Sequence, residues 1–176
     1  MIISIKKAES LVDFKGWSDE KIKMKLDAIE QTIRAYTNNN FQNRAYRKTV
    51  DITGGLFVAD SAIPFKVGDT IQVSNAGFNA GLYTVASVDG LQFTVNEPVT
   101  DEKNVLCTKI EYPADVIACV VNLLEWEVNS RGKVGVQSET ISRHSVTYFN
   151  MDGGNQTMGY PSSLLGCLKP YMKARF

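Results

Sequence analysis

A helix with one apolar stripe is predicted between Ser18 and Tyr36. Ser18 is a favourable N-cap, and Asp19 and Glu20 place negative charge in the first turn, where it interacts favourably with the helix dipole. The apolar residues recur at helical spacing, and the positions between them are mostly charged. They are Ile22, Leu26, Ile29, Ile33 and Tyr36. The asparagine run that begins at Asn38 competes with the helical backbone, so the helix is expected to end near Tyr36.

A second helix, predicted from Pro113 to about Val128, is apolar on nearly every side. Proline is favoured at the first helical position, where its missing N–H is not needed. The one consistent polar stripe of this helix consists of Asp115, Asn122, Glu125 and Asn129. Because an apolar helix surface has to be covered, we expect the first long helix, the C-terminal segment or a second subunit to pack on the rest.

Between residues 45 and 111 the hydrophobic pattern changes to a period of two, which predicts five or six short strands. The clearest hairpin is centred on Asp89-Gly90, a dipeptide that suits a type I′ turn. A two-residue loop at this position would place Val88 opposite Leu91. The strands favour a small, partly open barrel of the SH3-like or OB-like kind, although a flat sheet packed on the helices fits the same pattern.

The predicted fold class is therefore α+β, with a small helical bundle that carries an inserted antiparallel β module. Residues 1–44 and 112–176 would form one discontinuous helical domain, and residues 45–111 would form the insertion. After the second helix, the segment 137–149 alternates only weakly between apolar and polar residues. A last short helix is expected near Ser162, and Pro170 should end or kink it.

Composition excludes several classes of protein. The chain has 176 residues, and 44% of them are hydrophobic, which suffices for a buried core and excludes a disordered chain. Basic and acidic residues number 19 each, so no overall charge draws the chain to nucleic acid or to an anionic membrane. We find no signal-peptide pattern and no stretch near the ~20 apolar residues of a membrane span, so we expect a soluble protein made in a cytoplasm. The cysteines are expected to be buried free thiols in a reducing compartment, and they are Cys107, Cys119 and Cys167.

Candidate catalytic and metal-binding residues are sparse. His144 is the only histidine, and no acid or nucleophile stands beside it in the sequence. The cysteines are too far apart in sequence to form a metal knuckle. Gly54-Gly55 lacks the lysine and the serine or threonine of a phosphate loop and is expected to be a turn. We therefore expect no enzyme activity, no metal and no cofactor.

Two stretches have the composition of a binding surface. A basic cluster in the segment 43–48 could contact phosphates, but in a neutral chain a solvated connection between helix and strand is the favoured interpretation. The aromatic residues Tyr171 and Phe176 near the C-terminus could anchor a partner, or the tail could pack on its own domain. The basic cluster consists of Arg44, Arg47 and Lys48, with Tyr46 between them.

Four segments stand in a particular order, namely IEQTIRAYTNNNF, YPADVIACVVNLLEWEV, GVQSETISRHSVTY and GYPSSLLGCLKPYMKARF. No single segment is specific, but the ordered set resembles the head-to-tail connector proteins of tailed bacteriophages, also called adaptor or head-completion proteins. The chain departs from that family at two points. Arg143-His144 stands where members often have Gly-Asp, and the β module at 45–111 is absent or shorter in minimal members.

This resemblance implies a structural virion protein without enzyme activity, involved in virion assembly and DNA packaging. It implies an oligomeric ring beneath the portal that joins the DNA-filled head to the tail and extends the DNA channel. The implied partners are the portal protein, a further connector or tail-completion protein, and other copies of the chain. Double-stranded DNA would pass through the ring without sequence-specific binding, and no membrane is involved. The implied location is the head-to-tail junction of the virion, after synthesis in the host bacterial cytoplasm.

Within this interpretation, the segment after the second helix bridges adjacent subunits, and the C-terminal segment docks on the portal. The subunit-interface candidates are Ser138, Glu139, Ile141, Val146 and Tyr148. The portal-docking candidates are Leu168, Lys169, Pro170, Tyr171, Arg175 and Phe176. The alternative hypothesis is a monomeric binding module whose β insertion recognises a peptide or a single-stranded nucleic acid.

Overall fold

The computed structural model describes residues 2–134, 138–141, 144–147 and 154–174 of the chain. The protein is a mixed α+β protein that divides into two compact units, Met1–Asn39 with Tyr112–Phe176, and Asn40–Glu111. We call them the helical unit and the barrel unit. The first division lies before the one expected after residue 44, because the first strand already begins at Gln42.

The helical unit contains three α-helices and two segments of 3-10 helix in the part of the chain that is described. The α-helices are α1 (Ile5–Leu11), α2 (Asp19–Thr37) and α3 (Ala114–Asn129). The 3-10 segments are Arg131–Lys133 and Ser162–Tyr171. Pro170 lies inside the second of these, which therefore continues one residue beyond the predicted stop.

Helix α2 begins and ends as its sequence predicts. The side chain of Ser18 accepts a hydrogen bond from the Lys21 backbone N–H at 3.4 Å, and the helix ends where Asn38 adopts the left-handed conformation with φ of 48°. Four residues of the predicted stripe are fully buried, and Tyr36 is half-buried. The four buried residues are Ile22, Leu26, Ile29 and Ile33.

Helix α3 lies in the core of the helical unit, where α2 and the 3-10 helix Ser162–Tyr171 pack against it. Its predicted polar stripe is exposed, as expected. The buried side of the helix carries Val116, Cys119, Val120, Leu123 and Leu124. Each fully buried leucine or valine of this kind contributes roughly 1.5–3 kcal/mol relative to its exposed state.

The barrel unit is a closed antiparallel barrel of six strands in the order β1-β2-β5-β4-β3-β6. A barrel of six strands agrees with the sequence prediction and excludes the alternative of a flat sheet, but the barrel is closed, not partly open as predicted. The Gly54-Gly55 pair is a turn, as expected, and both residues have positive φ. The strands are β1 (Gln42–Thr53), β2 (Leu56–Ala59), β3 (Thr70–Ser74), β4 (Gly81–Asp89), β5 (Gln92–Val95) and β6 (Glu102–Ile110).

The register predicted for the β4–β5 hairpin is wrong. Val88 lies opposite Phe93, not opposite Leu91, and the two-residue loop is Gly90-Leu91. Gly90 adopts the positive φ of 58° that this loop needs, so the glycine, not the aspartate before it, begins the loop. Phe93 is buried in the core, where its ring stacks on Phe57 at a centroid distance of 4.6 Å.

Two small ladders complete the helical unit. Strands β7 (Ser138–Ile141) and β8 (His144–Thr147) form an antiparallel pair, although the sequence in this region alternates only weakly. Strands β9 (Gln156–Thr157) and β10 (Tyr160–Pro161) form a second pair directly before the last 3-10 helix. Both ladders therefore lie between α3 and the C-terminal segment in the chain.

Candidate docking sites: the β7–β8 hairpin and the C-terminal segment

The residues predicted to bridge subunits lie in one antiparallel ladder. Ser138, Glu139 and Ile141 belong to β7, and Val146 belongs to β8. In the register of this ladder, Glu139 is the partner of Val146. Tyr148 lies outside the described residues. The structure thus brings four of the five candidates together on one hairpin.

Arg131 joins the two ends of the chain segment that contains the hairpin. Its Nη1 atom donates a hydrogen bond to the Gly159 carbonyl oxygen at 2.7 Å, which joins the end of α3 to the chain just before β10. The guanidinium carbon lies 4.4 Å from the ring centroid of Trp126 and 4.9 Å from that of Tyr160. Such cation–π contacts contribute about 0.5–2 kcal/mol each, depending on burial. Arg131 therefore fixes where the chain leaves α3 and where it returns.

Glu127 holds Arg131 in this position from the buried side of α3. Its Oε1 atom accepts hydrogen bonds from Nε and Nη2 of Arg131 at 3.1 and 2.6 Å, and from the Tyr160 hydroxyl at 2.8 Å. Its Oε2 atom accepts one from Nζ of Lys25 at 3.0 Å. Glu127 is only 4% exposed, so the two cations and the tyrosine replace the water that the carboxylate would otherwise bind. We call Lys25, Trp126, Glu127, Arg131 and Tyr160 the Arg131 cluster.

The cluster shifts the ionisation of its members. Burial alone would raise the pKa of Glu127, but the hydrogen bonds from Arg131, Tyr160 and Lys25 outweigh burial and lower the pKa below its ordinary value. Burial raises the pKa of Tyr160, and its hydrogen bond to Glu127 raises the pKa further. Glu127 is therefore an anion and Tyr160 a neutral hydrogen-bond donor at neutral pH.

Sequence reasoning missed this cluster, although one local signal was present. Glu127 follows Leu123 and Leu124 at helical spacing on the apolar side of α3, where an isolated carboxylate is unfavourable. Arg131 follows four residues later, which is the favourable spacing for a Glu–Arg pair on a helix. A buried carboxylate beside an arginine at this spacing predicts an ion pair, but not the partners Lys25 and Tyr160.

The portal-docking candidates differ in how accessible they are. Leu168 is fully buried in the core of its own unit, so its prediction as a docking residue is wrong. Lys169 and Pro170 are exposed, and Tyr171 is half-buried. Arg175 and Phe176 lie outside the described residues.

The C-terminal segment packs on its own unit through the asparagine run that follows α2. The side-chain amide of Asn39 donates to the Tyr171 carbonyl oxygen at 3.1 Å, and that of Asn38 donates to the Ala174 carbonyl oxygen at 2.9 Å. The Lys173 backbone N–H donates to the Thr37 carbonyl oxygen at 2.8 Å. These bonds hold the backbone from residue 171 to residue 174 against the end of α2. The two asparagines thus have a second role that the sequence did not suggest.

Tyr171 is held from the other side by α3. Its hydroxyl donates to the Asp115 carboxylate, with both oxygens at 2.7 Å. This hydrogen bond raises the pKa of Tyr171, because the deprotonated form would place two negative charges side by side. Tyr171 therefore positions the segment rather than offering a free aromatic anchor.

The three cysteines differ in their exposure. Cys107 and Cys119 are buried free thiols, as expected, whereas Cys167 is exposed, contrary to the prediction. Burial raises the pKa of Cys107 to about 12, which suppresses the reactive thiolate. Among the residues that the structure describes, no group of three or more His, Cys, Asp or Glu side chains could hold a metal ion. No described helix is both long enough and apolar enough to cross a bilayer.

The basic cluster predicted between helix and strand instead belongs to a strand. Arg44, Tyr46 and Arg47 lie in β1 and are exposed. Lys48 follows them in the same strand and forms an ion pair with Asp60. The solvated connection expected here is therefore wrong, because β1 begins before the cluster. The sequence as a whole matches no protein-family model and none of the curated proteins with which it was compared.

Proposed function

We propose that the chain is a structural, non-enzymatic protein of a tailed bacteriophage that forms a ring beneath the portal and joins the DNA-filled head to the tail. The helical unit would be the connector-like bundle of this ring, and the barrel unit an insertion of the SH3-like or OB-like kind. The observation that carries the proposal is the β7–β8 hairpin, which is formed by the segment GVQSETISRHSVTY and lies in the part of the chain whose two ends are joined by Arg131.

The hairpin suits a contact between subunits. An isolated two-stranded ladder is marginally stable in water, and here four residue pairs make up the whole ladder. A neighbouring subunit that packs on the hairpin, or adds a strand to its edge, would bury it and add backbone hydrogen bonds. The Arg131 cluster joins the two ends of the longer segment that carries the hairpin, so part of the loop-closure entropy is already lost before the contact forms.

The C-terminal segment suits a contact with the portal protein. Asn38, Asn39 and Asp115 hold residues 171–174, so the segment is presented from a fixed position. The exposed Lys169 and Pro170, together with the terminal Arg175 and Phe176, are the residues that we assign to portal binding. Leu168 and Tyr171 instead support the segment from within.

The neutral charge of the chain is compatible with a channel for double-stranded DNA. A strongly basic lumen would release counterions and bind the phosphates, which would slow the passage of DNA. With 19 basic and 19 acidic residues, the chain provides no such excess charge. We assign DNA no sequence-specific contact and assign the protein no cofactor.

Portal binding is tested by substitutions that keep the fold. The expected result is that Lys169→Glu, combined with removal of Arg175 and Phe176, weakens co-sedimentation with the purified portal protein. Lys173→Glu is the matched control, because Lys173 is an exposed lysine of the same segment that is not among the assigned docking residues. Equal loss with both variants, or loss with neither, contradicts the assignment.

A monomeric binding module remains the second hypothesis, in which the barrel unit recognises a peptide or single-stranded nucleic acid. In this hypothesis the barrel unit is a self-contained module, and it does have a core of its own, which includes Ile52, Phe57, Ile71, Phe93 and Val105. Fluorescence anisotropy of a labelled oligonucleotide mixed with the full chain tests the nucleic-acid form of this hypothesis. Salt-sensitive binding without the portal protein favours it over the ring.

A further inference from the structure

The distal end of the barrel exposes one large aromatic side chain. We define the distal end as the end opposite to Asn40 and Glu111, where the chain enters and leaves the barrel unit. The strand directions place the β1–β2 turn, the β3–β4 loop and the β5–β6 loop there. Phe78 lies in the β3–β4 loop and is 84% exposed. An exposed phenylalanine of this degree does not contribute to the core of its own barrel.

The β3–β4 loop is held in place without any help from the Phe78 side chain. The Glu102 carboxylate accepts hydrogen bonds from the backbone N–H groups of Phe78 and Asn79 at 3.3 and 3.2 Å, and also from that of Gly77. The Asn79 side chain is buried and exchanges hydrogen bonds with the backbone of Thr100 at 2.8 and 2.9 Å. Phe78 is therefore presented on an ordered loop, as is typical of an aromatic anchor at an interface.

The surroundings of Phe78 are acidic. Glu97 and Asp101 lie in the β5–β6 loop and are exposed, and Glu102 begins β6. Lys103 is the only cation among residues 74–82 and 95–104. A partner of this end of the barrel should therefore combine apolar or aromatic surface with positive charge.

The same barrel carries such a surface at its other end. Asn43 pairs with Lys109 and Arg47 with Thr108, so the residues Arg44, Ala45 and Tyr46 have no partner in the β1–β6 ladder. They form a bulge near the point where the chain enters the barrel. The Asn43 side chain accepts a hydrogen bond from the Ala45 N–H at 3.1 Å and so orders the bulge. We call residues 44–47 the Arg44–Arg47 bulge.

The Arg44–Arg47 bulge combines an aromatic ring with positive charge. Tyr46 is 43% exposed, and Arg44 and Arg47 are exposed on either side of it in the sequence. The Nζ atom of Lys109 lies 5.4 Å from the centroid of the Tyr46 ring, but its charge is offset by Asp69 and Glu111 at 3.1 and 3.2 Å. The positive charge that the bulge offers to a partner is therefore that of the two arginines.

We propose that the Phe78 loop of one copy docks on the Arg44–Arg47 bulge of the next copy. Phe78 would pack on Tyr46, and the Glu97 and Asp101 carboxylates would face the arginines. The two surfaces lie at opposite ends of one barrel, so the contact forms between copies and is heterologous. Repetition of a heterologous contact closes into a ring when the rotation between copies allows it. The inference rests on the proposed ring and identifies a contact that helps to form it.

A second copy fits both surfaces better than nucleic acid does. Phosphates would be attracted to the two arginines, but the acidic distal end would repel them, which leaves Phe78 unexplained. A single interface between two copies accounts for both the exposed Phe78 and the two arginines. It is also rich in aromatic residues and arginine, which are the residue types enriched at protein–protein interfaces.

Disulfide trapping tests the contact with the full chain. The exposed Cys167 is removed by the substitution Cys167→Ser, whereas the buried Cys107 and Cys119 are kept. In this background, Phe78→Cys and Tyr46→Cys are prepared separately and mixed under mild oxidation. The expected product is a disulfide-linked dimer that contains one chain of each kind, because a disulfide requires close approach of the two Cβ atoms. No mixed dimer, or as much dimer with either variant alone, overturns the inference.

Charge reversal provides a second test that does not depend on cysteine. The association constant of the concentrated protein is measured by sedimentation. It should fall about tenfold or more in Glu97→Lys/Asp101→Lys and in Arg44→Glu/Arg47→Glu. It should recover when the two variants are mixed. Phe78→Ala should show a similar loss, whereas the control Leu91→Ala, at another exposed position of the barrel, should not. The inference is overturned if the mixture does not recover association. It is also overturned if the arginines are needed only for oligonucleotide binding. If the charge-reversed variants still form rings on the portal protein, the inference is contradicted but the proposed function is not. If the mixed disulfide-linked dimer forms but the protein does not bind the portal protein, the proposed function is contradicted but the inference is not.

Discussion

The buried carboxylate of Glu127 and the guanidinium group of Arg131 form a two-point contact, in which Nε and Nη2 donate to Oε1 at 3.1 and 2.6 Å. This pair connects the last turn of α3 to the segment that carries the β7–β8 hairpin. Removing the cationic partners of a buried carboxylate leaves a buried charge unpaired and strongly destabilises the fold. Removing the carboxylate likewise leaves its cationic partners unpaired.

Glu127→Gln should lower the free energy of unfolding of the helical unit by about 2–3 kcal/mol. The expected loss is smaller than for a fully buried ion pair, because the Lys25 and Arg131 side chains are 28% and 36% exposed and can be hydrated. Urea denaturation followed by circular dichroism measures it. Glu125→Gln on the exposed stripe of the same helix is the control and should change the stability by less than about 0.5 kcal/mol. A similar effect of both substitutions contradicts a special role for Glu127.

The stability of the protein should also depend on pH through Glu127. Its pKa is lower in the folded protein than the ordinary value of 4.5, so the unfolded chain takes up a proton first as the pH falls. The stabilisation is fully present above the ordinary value and is lost as the pH falls through the lowered folded pKa. The stability difference between the unsubstituted protein and Glu127→Gln should therefore shrink below about pH 4.5. A difference that stays constant over this range contradicts the prediction.

Asn38 should show two separable roles. Asn38→Gly keeps the left-handed conformation that ends α2 but removes the hydrogen bond to the Ala174 carbonyl oxygen, whereas Asn38→Ala removes both. We expect faster proteolysis of the C-terminal segment in both variants. A clear loss of stability, of about 1 kcal/mol, is expected only in Asn38→Ala. Equal stability of the two variants indicates that the cap conformation is unimportant.

The Phe78 loop should lose its order when Glu102 is replaced. In Glu102→Ala, the backbone amides of Gly77, Phe78 and Asn79 lose their shared acceptor, so their hydrogen exchange should accelerate by about tenfold or more. Asp89→Ala in the β4–β5 hairpin is the control and should leave these three amides unchanged. Unchanged exchange in Glu102→Ala contradicts the ordering role of the carboxylate.

The elements that follow from local periodicity could be predicted from the sequence. The apolar stripe of α2 and the polar stripe of α3 depend only on residue spacing, and both are present in the structure. The β4–β5 register failed because alternation along the hairpin places Phe93 on the apolar face in either register. The observed pairing is shifted and is irregular between Val85 and Ser87, which a pattern read along one hairpin does not show.

Parts of the candidate sites depend on residues far apart in the chain. Lys25 reaches Glu127 across 102 residues, and Asn38 reaches Ala174 across 136. The bulge at Arg44 is visible only in the pairing of β1 with β6, in which residues 44–46 have no partner. A single sequence shows that these residues are polar or charged, but it does not show which of them meet.

The most direct test of the account is the mass of the complex that the full chain forms with the purified portal protein. Native mass spectrometry with and without the portal protein gives the number of chains bound. We expect many copies of the chain on each portal ring, because a contact that is weak between free subunits becomes favourable when a partner binds the assembled form. A complex with a single copy, or no complex at all, contradicts the proposed ring.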